Sequence, residues 1–161
     1  MSSGHREADP VADTVGYQLK RAQHGLRLAI DAALRPIQLT TPQYAVLDTL
    51  GQAAGLSGAE LARRAFVTPQ TMNAIVMALE REGLVARQPH ATHGRVLQAY
   101  LTDIGEQRLR AARQAVFDIQ EDMLAGLGTV ERTRLTALLG CCADRLEVRA
   151  DAGGRRAVPR A

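Results

Sequence analysis

Apolar residues recur at steps of three and four along most of the chain, and the interruptions divide it into helices. Val15, Leu19, Ala22, Leu26, Ala29 and Ala33 put one stripe on a helix from Thr14 to about Leu34, which Arg35-Pro36 ends. Thr41-Pro42 announces a second helix, a capping hydroxyl followed by a proline whose missing N–H is no loss in the first turn. Its Tyr44, Leu47 and Leu50 face inward, and Gly51 and Gly55 close it. Ser57-Gly-Ala-Glu60 is a capping box that opens a short helix, with Leu61 and Ala62 inward and Arg63 and Arg64 partly outward. Ala65-Phe66-Val67 is short enough to turn the chain sharply. Thr68-Pro69 repeats the cap-and-proline signal and starts a helix to about Glu82, burying Met72, Ile75, Val76 and Leu79 before Gly83 stops it.

Two helices joined by so tight a turn predict a helix-turn-helix, whose second helix has the width of a major groove. Leu84–Arg87 and Leu97–Leu101 read as two short strands around the polar tip Gln88 to Arg95, a β-hairpin wing. Thr102 caps a long helix through Ile104, Leu109, Ala112, Val116, Ile119, Met123 and Leu127, and Gly126 to Gly128 turn the chain. Thr129 caps a last helix with Leu135, Leu138, Leu139, Cys142 and Leu146 on one face. The first and last two helices carry more apolar surface than a reading head needs for its own core. A symmetric homodimer is the common solution, with Leu19, Ile119, Leu135, Leu138, Cys142 and Leu146 at its interface. The predicted fold is therefore mainly α with a small β-hairpin: a winged helix-turn-helix (about 38–102) with long N- and C-terminal dimerisation helices (about 13–35 and 102–149). These form one domain, 13–149, between a flexible lead, 1–12, and a disordered basic tail, 150–161.

Composition narrows the function. The chain of 161 residues, 46% hydrophobic and 23% charged, has the profile of one globular domain. Of its +3 formal charge, +2 belongs to the tail, where Arg155, Arg156 and Arg160 face Asp151, so bulk charge decides little. Aromatics at 3% and no tryptophan disfavour a stacking platform for single strands but leave a duplex reader open. No run of about 18 apolar residues occurs, and the charged opening from Met1 to Pro10 lacks a signal peptide's apolar stretch, so a cytoplasmic protein without membrane contact is expected. Cys141 and Cys142 are adjacent and poorly placed to bridge each other. There is no glycine-rich phosphate loop, nucleophile elbow or paired-carboxylate arrangement, which argues against an enzyme and against a bound cofactor.

Three segments in order carry a family resemblance: Leu39-Thr-Thr-Pro-Gln-Tyr-Ala-Val-Leu47, Leu79-Glu-Arg-Glu-Gly-Leu-Val-Ala-Arg87 and Gly94-Arg-Val-Leu-Gln-Ala-Tyr-Leu-Thr-Asp-Ile-Gly105. With these the chain, from about Val15 to Leu146, resembles the MarR (multiple antibiotic resistance regulator) family of bacterial transcription factors. The resemblance implies a triangular dimer whose terminal helices clasp each other while two winged heads straddle a pseudo-palindromic double-stranded operator. It also implies a repressor released by a small aromatic acid or phenol bound in a cleft between the dimer base and each head. Two departures fall in the DNA-reading parts. The wing tip reads His93-Gly94-Arg95 where the family commonly has Asp-Arg-Arg, and Ala74 stands where many members carry an arginine midway along the recognition helix.

Base readout then leans on Gln70, Thr71 and Asn73, although the same residues would make an ordinary solvated helix face. Arg95, with His93 beside it, is the candidate minor-groove probe of the wing. Candidate contacts to the DNA backbone are Thr41, Ser57, Arg63, Arg64, Thr68 and Arg87, the arginines being equally plausible as surface charges. His90 and His93 form an H-x-x-H pair, but two ligands fall short of the three or four a zinc site needs, so no metal is expected. The rival functions are a winged-helix dimeric adaptor without specific DNA binding, for which Ala74 speaks, and a regulator sensing redox through Cys141 or Cys142. Peroxide-sensing relatives place their reactive cysteine in the first helix, and this first helix has none.

Overall fold

The computed structural model describes residues 11, 13–90 and 96–154. Along them run α1 (Val15–Leu34), a 3-10 turn (Arg35–Ile37), α2 (Thr41–Gln52), β1 (Leu56–Ser57), α3 (Gly58–Arg64), α4 (Pro69–Arg81), β2 (Val85–Pro89), β3 (Leu97–Leu101), α5 (Asp103–Met123) and α6 (Thr129–Gly154). The chain divides into two compact units, one ending at Glu121 and the other starting at Asp122. The break falls in the polar stretch Gln120, Glu121 and Asp122, which offers no apolar side chain to bury.

The first unit is built around Leu34, Val46, Leu47, Leu61, Met72, Leu79 and Leu84, all essentially inaccessible to solvent. One residue from the end of α1 and several from α2, α3 and α4 thus share one core, which fixes α4 by its Met72, Val76 and Leu79 stripe and leaves its opposite face outside. The sheet has three strands, not two. β1 pairs antiparallel with β3 (Leu56 opposite Ala99), and β3 pairs with β2 from Val85 opposite Leu101 to Pro89 opposite Leu97, giving the order β1-β3-β2. A two-residue strand has no periodicity to detect; it exists because β3 offers it an open edge.

Helix starts follow local chemistry with small corrections. Thr40, not Thr41, caps α2: its hydroxyl accepts from the Gln43 N–H, and the Gln43 side chain accepts from the Thr40 N–H, a complete capping box. Thr41 enters the helix, and its hydroxyl donates to the Asp31 carboxylate. Gly51 does not end α2 but lies within it, at a close approach where a Cβ would stand 2.6 Å from Leu109 Cδ2. Thr102 caps α5 as expected, its hydroxyl accepting from the Gly105 N–H at 3.0 Å and donating to the Gly83 carbonyl at 2.6 Å. Leu109, Ala112 and Val116 of the α5 stripe are buried, whereas Ile104 and Met123 are exposed. Polar ties hold α5 to the head: Arg113 Nε donates to Asp48 at 2.8 Å, and Arg108 Nη1 to the Ile37 carbonyl at 3.1 Å.

In the second unit the turn before α6 is closed by its own side chains. Gly128, rather than Thr129, stands at the cap, its N–H donating to the Glu131 carboxylate at 2.8 Å. Arg132 donates back to the Leu127 carbonyl and to the Leu124 carbonyl, which also accepts from the Leu127 N–H. α6 continues to Gly154, so the expected tail over 150–161 is helical for its first residues, among them the helix-favouring Ala150 and Ala152. Residues 155–161 and the expected lead over 1–12, Val11 apart, lie outside the described residues. Among the described residues no helix is long and apolar enough to cross a membrane.

Candidate DNA interface

The sharp turn at Ala65-Phe66-Val67 is set by backbone bonds: Ala65 N–H to the Leu61 carbonyl at 2.9 Å and Val67 N–H to the Ala62 carbonyl at 3.1 Å. It delivers the chain to Thr68, whose hydroxyl accepts from the Thr71 N–H at 3.1 Å and lies 2.9 Å from the Thr71 hydroxyl. That cap orients the first turn of α4, whose dipole favours a negative partner although Pro69 has no N–H and Thr68 takes the Thr71 and Met72 N–H groups. Because Met72, Val76 and Leu79 are held inside, Gln70, Thr71, Asn73, Ala74 and Met77 are exposed together on the outer side. Asn73 is held only by a long contact from its Nδ2 to Met77 Sδ at 3.5 Å, a weak acceptor that a base edge could replace.

The six candidate backbone contacts separate. Arg63 and Arg64 are exposed at the C-terminal end of α3, and Thr68 is exposed at the start of α4. Ser57 is half-buried, its hydroxyl engaged with the Glu60 carboxylate at 2.7 Å and with the Glu60 N–H. These bonds from Ser57, with lesser help from Arg63 and Arg64, hold the Glu60 carboxyl below its usual pKa. Thr41 is tied to Asp31. Arg87 is half-buried against Glu80, with Nε at 2.9 Å and Nη2 at 2.6 Å from one carboxylate oxygen. It braces the wing strand β2 on α4, and its charge is largely met before any phosphate arrives. Sequence spacing could not pair Arg87 with Glu80, because the turn at Gly83 brings them together.

At the wing, the ladder extends past the strands to a His90 N–H bond to the Val96 carbonyl at 2.8 Å. Arg95 and His93 of the tip lie outside the described residues. Between α3, α4 and the hairpin opens a cleft of about 390 Å³, bordered by Ser57, Pro69, Asn73, Arg87, Val96 and Leu97. A second, of about 470 Å³, lies where the end of α1 meets the start of α2, lined by Asp31, Arg35, Gln38, Leu39, Thr40 and Gln43. The proposed dimer residues Leu19, Leu135, Leu138, Cys142 and Leu146 are all exposed in the protomer, and Ile119 is half-buried. Cys141 is also exposed, and both thiols are free.

A capped recognition helix, a turn into it and a three-stranded wing define a winged helix-turn-helix transcriptional regulator. A model described as the MarR family matches residues 37–96. The chain is 40% identical over 125 residues to the HTH-type transcriptional repressor Rv2887 of Mycobacterium tuberculosis, covering 78% of this chain and 90% of that protein. It is similar to the crystal structure of Rv2887 in complex with DNA, with a TM-score of 0.70 and 37% identity over 80% of this chain and 97% of that one. It is also similar to Rv2887 in complex with salicylic acid, with a TM-score of 0.66 and 39% identity over 81% and 98% of the two chains. The chain belongs to the MarR family.

Proposed function

We propose that the protein is a homodimeric, sequence-specific DNA-binding repressor that a small aromatic acid releases from its operator. It would act in the cytoplasm and carry no catalytic activity. The observation that carries this is the outer face of α4, where Gln70, Thr71 and Asn73 stand exposed beside the cap at Thr68 and the basic end of α3. The likeness to Rv2887 in complex with DNA supports it. Asn73 and Gln70 pair with adenine edges, Arg63, Arg64 and Thr68 hold phosphates, and Arg95 with His93 serves the minor groove. Ser57, Thr41 and Arg87 act instead by holding α3, α2 and the wing in place.

Fluorescence anisotropy on a duplex selected from a random pool, with single-base variants and random duplex as controls, tests this assignment. Asn73→Ala should cost about 1 to 3 kcal/mol on the selected duplex and flatten discrimination at one base pair per half-site. Arg63→Ala should weaken binding on every duplex and make the salt slope shallower by about one. Equal losses for Asn73→Ala on selected and random DNA would remove its base-reading role. A wild type that binds no duplex at any salt would leave the dimeric adaptor, for which Ala74 speaks.

For release, the cleft at the α1–α2 junction offers the exposed Arg35 to a carboxylate. The likeness to Rv2887 in complex with salicylic acid supports a ligand of that class. Saturating salicylate should raise the melting temperature and weaken operator binding about 5- to 150-fold through its preference for one spacing of the heads. Stabilisation without loss of DNA affinity would separate ligand binding from regulation.

A further inference from the structure

The turn between α3 and α4 holds an aromatic side chain that nothing inside the protomer explains. Phe66 has φ +53°, in the left-handed region where a bulky L side chain crowds its neighbouring carbonyl. Glycine would meet the same backbone requirement without that crowding. Packing does not compensate, because Phe66 is 86% exposed, more than any other large hydrophobic residue described. Strain that persists without an internal contact points to a partner.

The surroundings say which partner. Arg63 and Arg64, both exposed, precede the ring, and Thr68, Pro69 and Gln70 at the start of α4 follow it. An apolar ring bordered by guanidinium groups and the positive end of a helix dipole is complementary to a surface where anionic phosphates alternate with apolar carbon. We propose that Phe66 packs on the deoxyribose rings of the operator backbone beside the entry of α4 into the major groove, an inference that rests on the DNA-binding role proposed above. The arginines take the flanking phosphates while the ring covers the sugar between them. The contact adds affinity and register without reading sequence.

The test uses the full chain with Phe66→Gly and Phe66→Asn, both residues suited to the left-handed turn. Thermal unfolding and anisotropy over a salt series are measured on the selected duplex and on random duplex. Both variants should melt at or above the wild type and bind both duplexes about tenfold more weakly, as for losing roughly 50 Å² of apolar contact. The salt slope should not change, since no charge is removed. Affinity equal to the wild type would overturn the proposal, as would a loss confined to one base pair or a loss that tracks a fall in melting temperature. A wild type unable to bind any duplex would instead defeat the DNA-binding role itself.

Discussion

Gly105→Ala should destabilise the first unit by about 3 kcal/mol or more, above the usual range for overpacking. A Cβ at position 105 would lie 2.0 Å from the Leu84 carbonyl oxygen and 2.9 Å from its carbon. Neither side can retreat. The Leu84 carbonyl accepts from the Thr102 N–H at 3.1 Å, the Leu84 side chain is wholly buried, and the Thr102 hydroxyl fixes the first turn of α5. Gly58→Ala is the control, since nothing lies within 4 Å of a Cβ there. Urea unfolding of both variants checks the expectation, and a Gly105→Ala midpoint within error of the wild type would show that the α5 start is not seated on Leu84 as described.

Leu138→Asp should convert the proposed homodimer to monomers at micromolar concentration, weakening association by more than about a hundredfold. Each dimer would bury two unpaired carboxylates, and a desolvated charge without a partner carries a penalty of several kcal/mol. Leu138 is 56% exposed in the protomer and Leu146 62%, so the substitution leaves the helix itself intact, and circular dichroism should hardly change. Sedimentation velocity reads the outcome. A variant that stays dimeric would move the interface away from this face of α6. Operator binding should fall with dimerisation, because two linked heads engage the two half-sites with a high effective concentration.

Most elements were legible because their signals are local. The Ser57–Glu60 capping box, the Thr68-Pro69 start and the three-and-four spacing of Met72, Val76 and Leu79 all lie within a turn or two of the feature they specify. Local signals mislead where a neighbour in space competes with one in sequence. Thr41 has the form of a cap, yet Asp31 takes its hydroxyl while Thr40 completes the box with Gln43. Gly51 looks like a helix stop and is instead a close approach to Leu109, far along the chain.

The candidate site divides in the same way. Sequence alone determined that α4 has an apolar side and a polar side, and therefore that Gln70, Thr71 and Asn73 stand together, because helical periodicity needs no tertiary information. It also determined the wing, through two short apolar runs about a polar tip. Only the tertiary structure decided which polar side chains remain available to a ligand. Arg63 and Arg87 carry the same charge and both suit a phosphate, but the turn at Gly83 lays Arg87 against Glu80 while Arg63 stays in solvent. A side chain's partners are set by which elements the core brings together, and those distances are not written in local spacing.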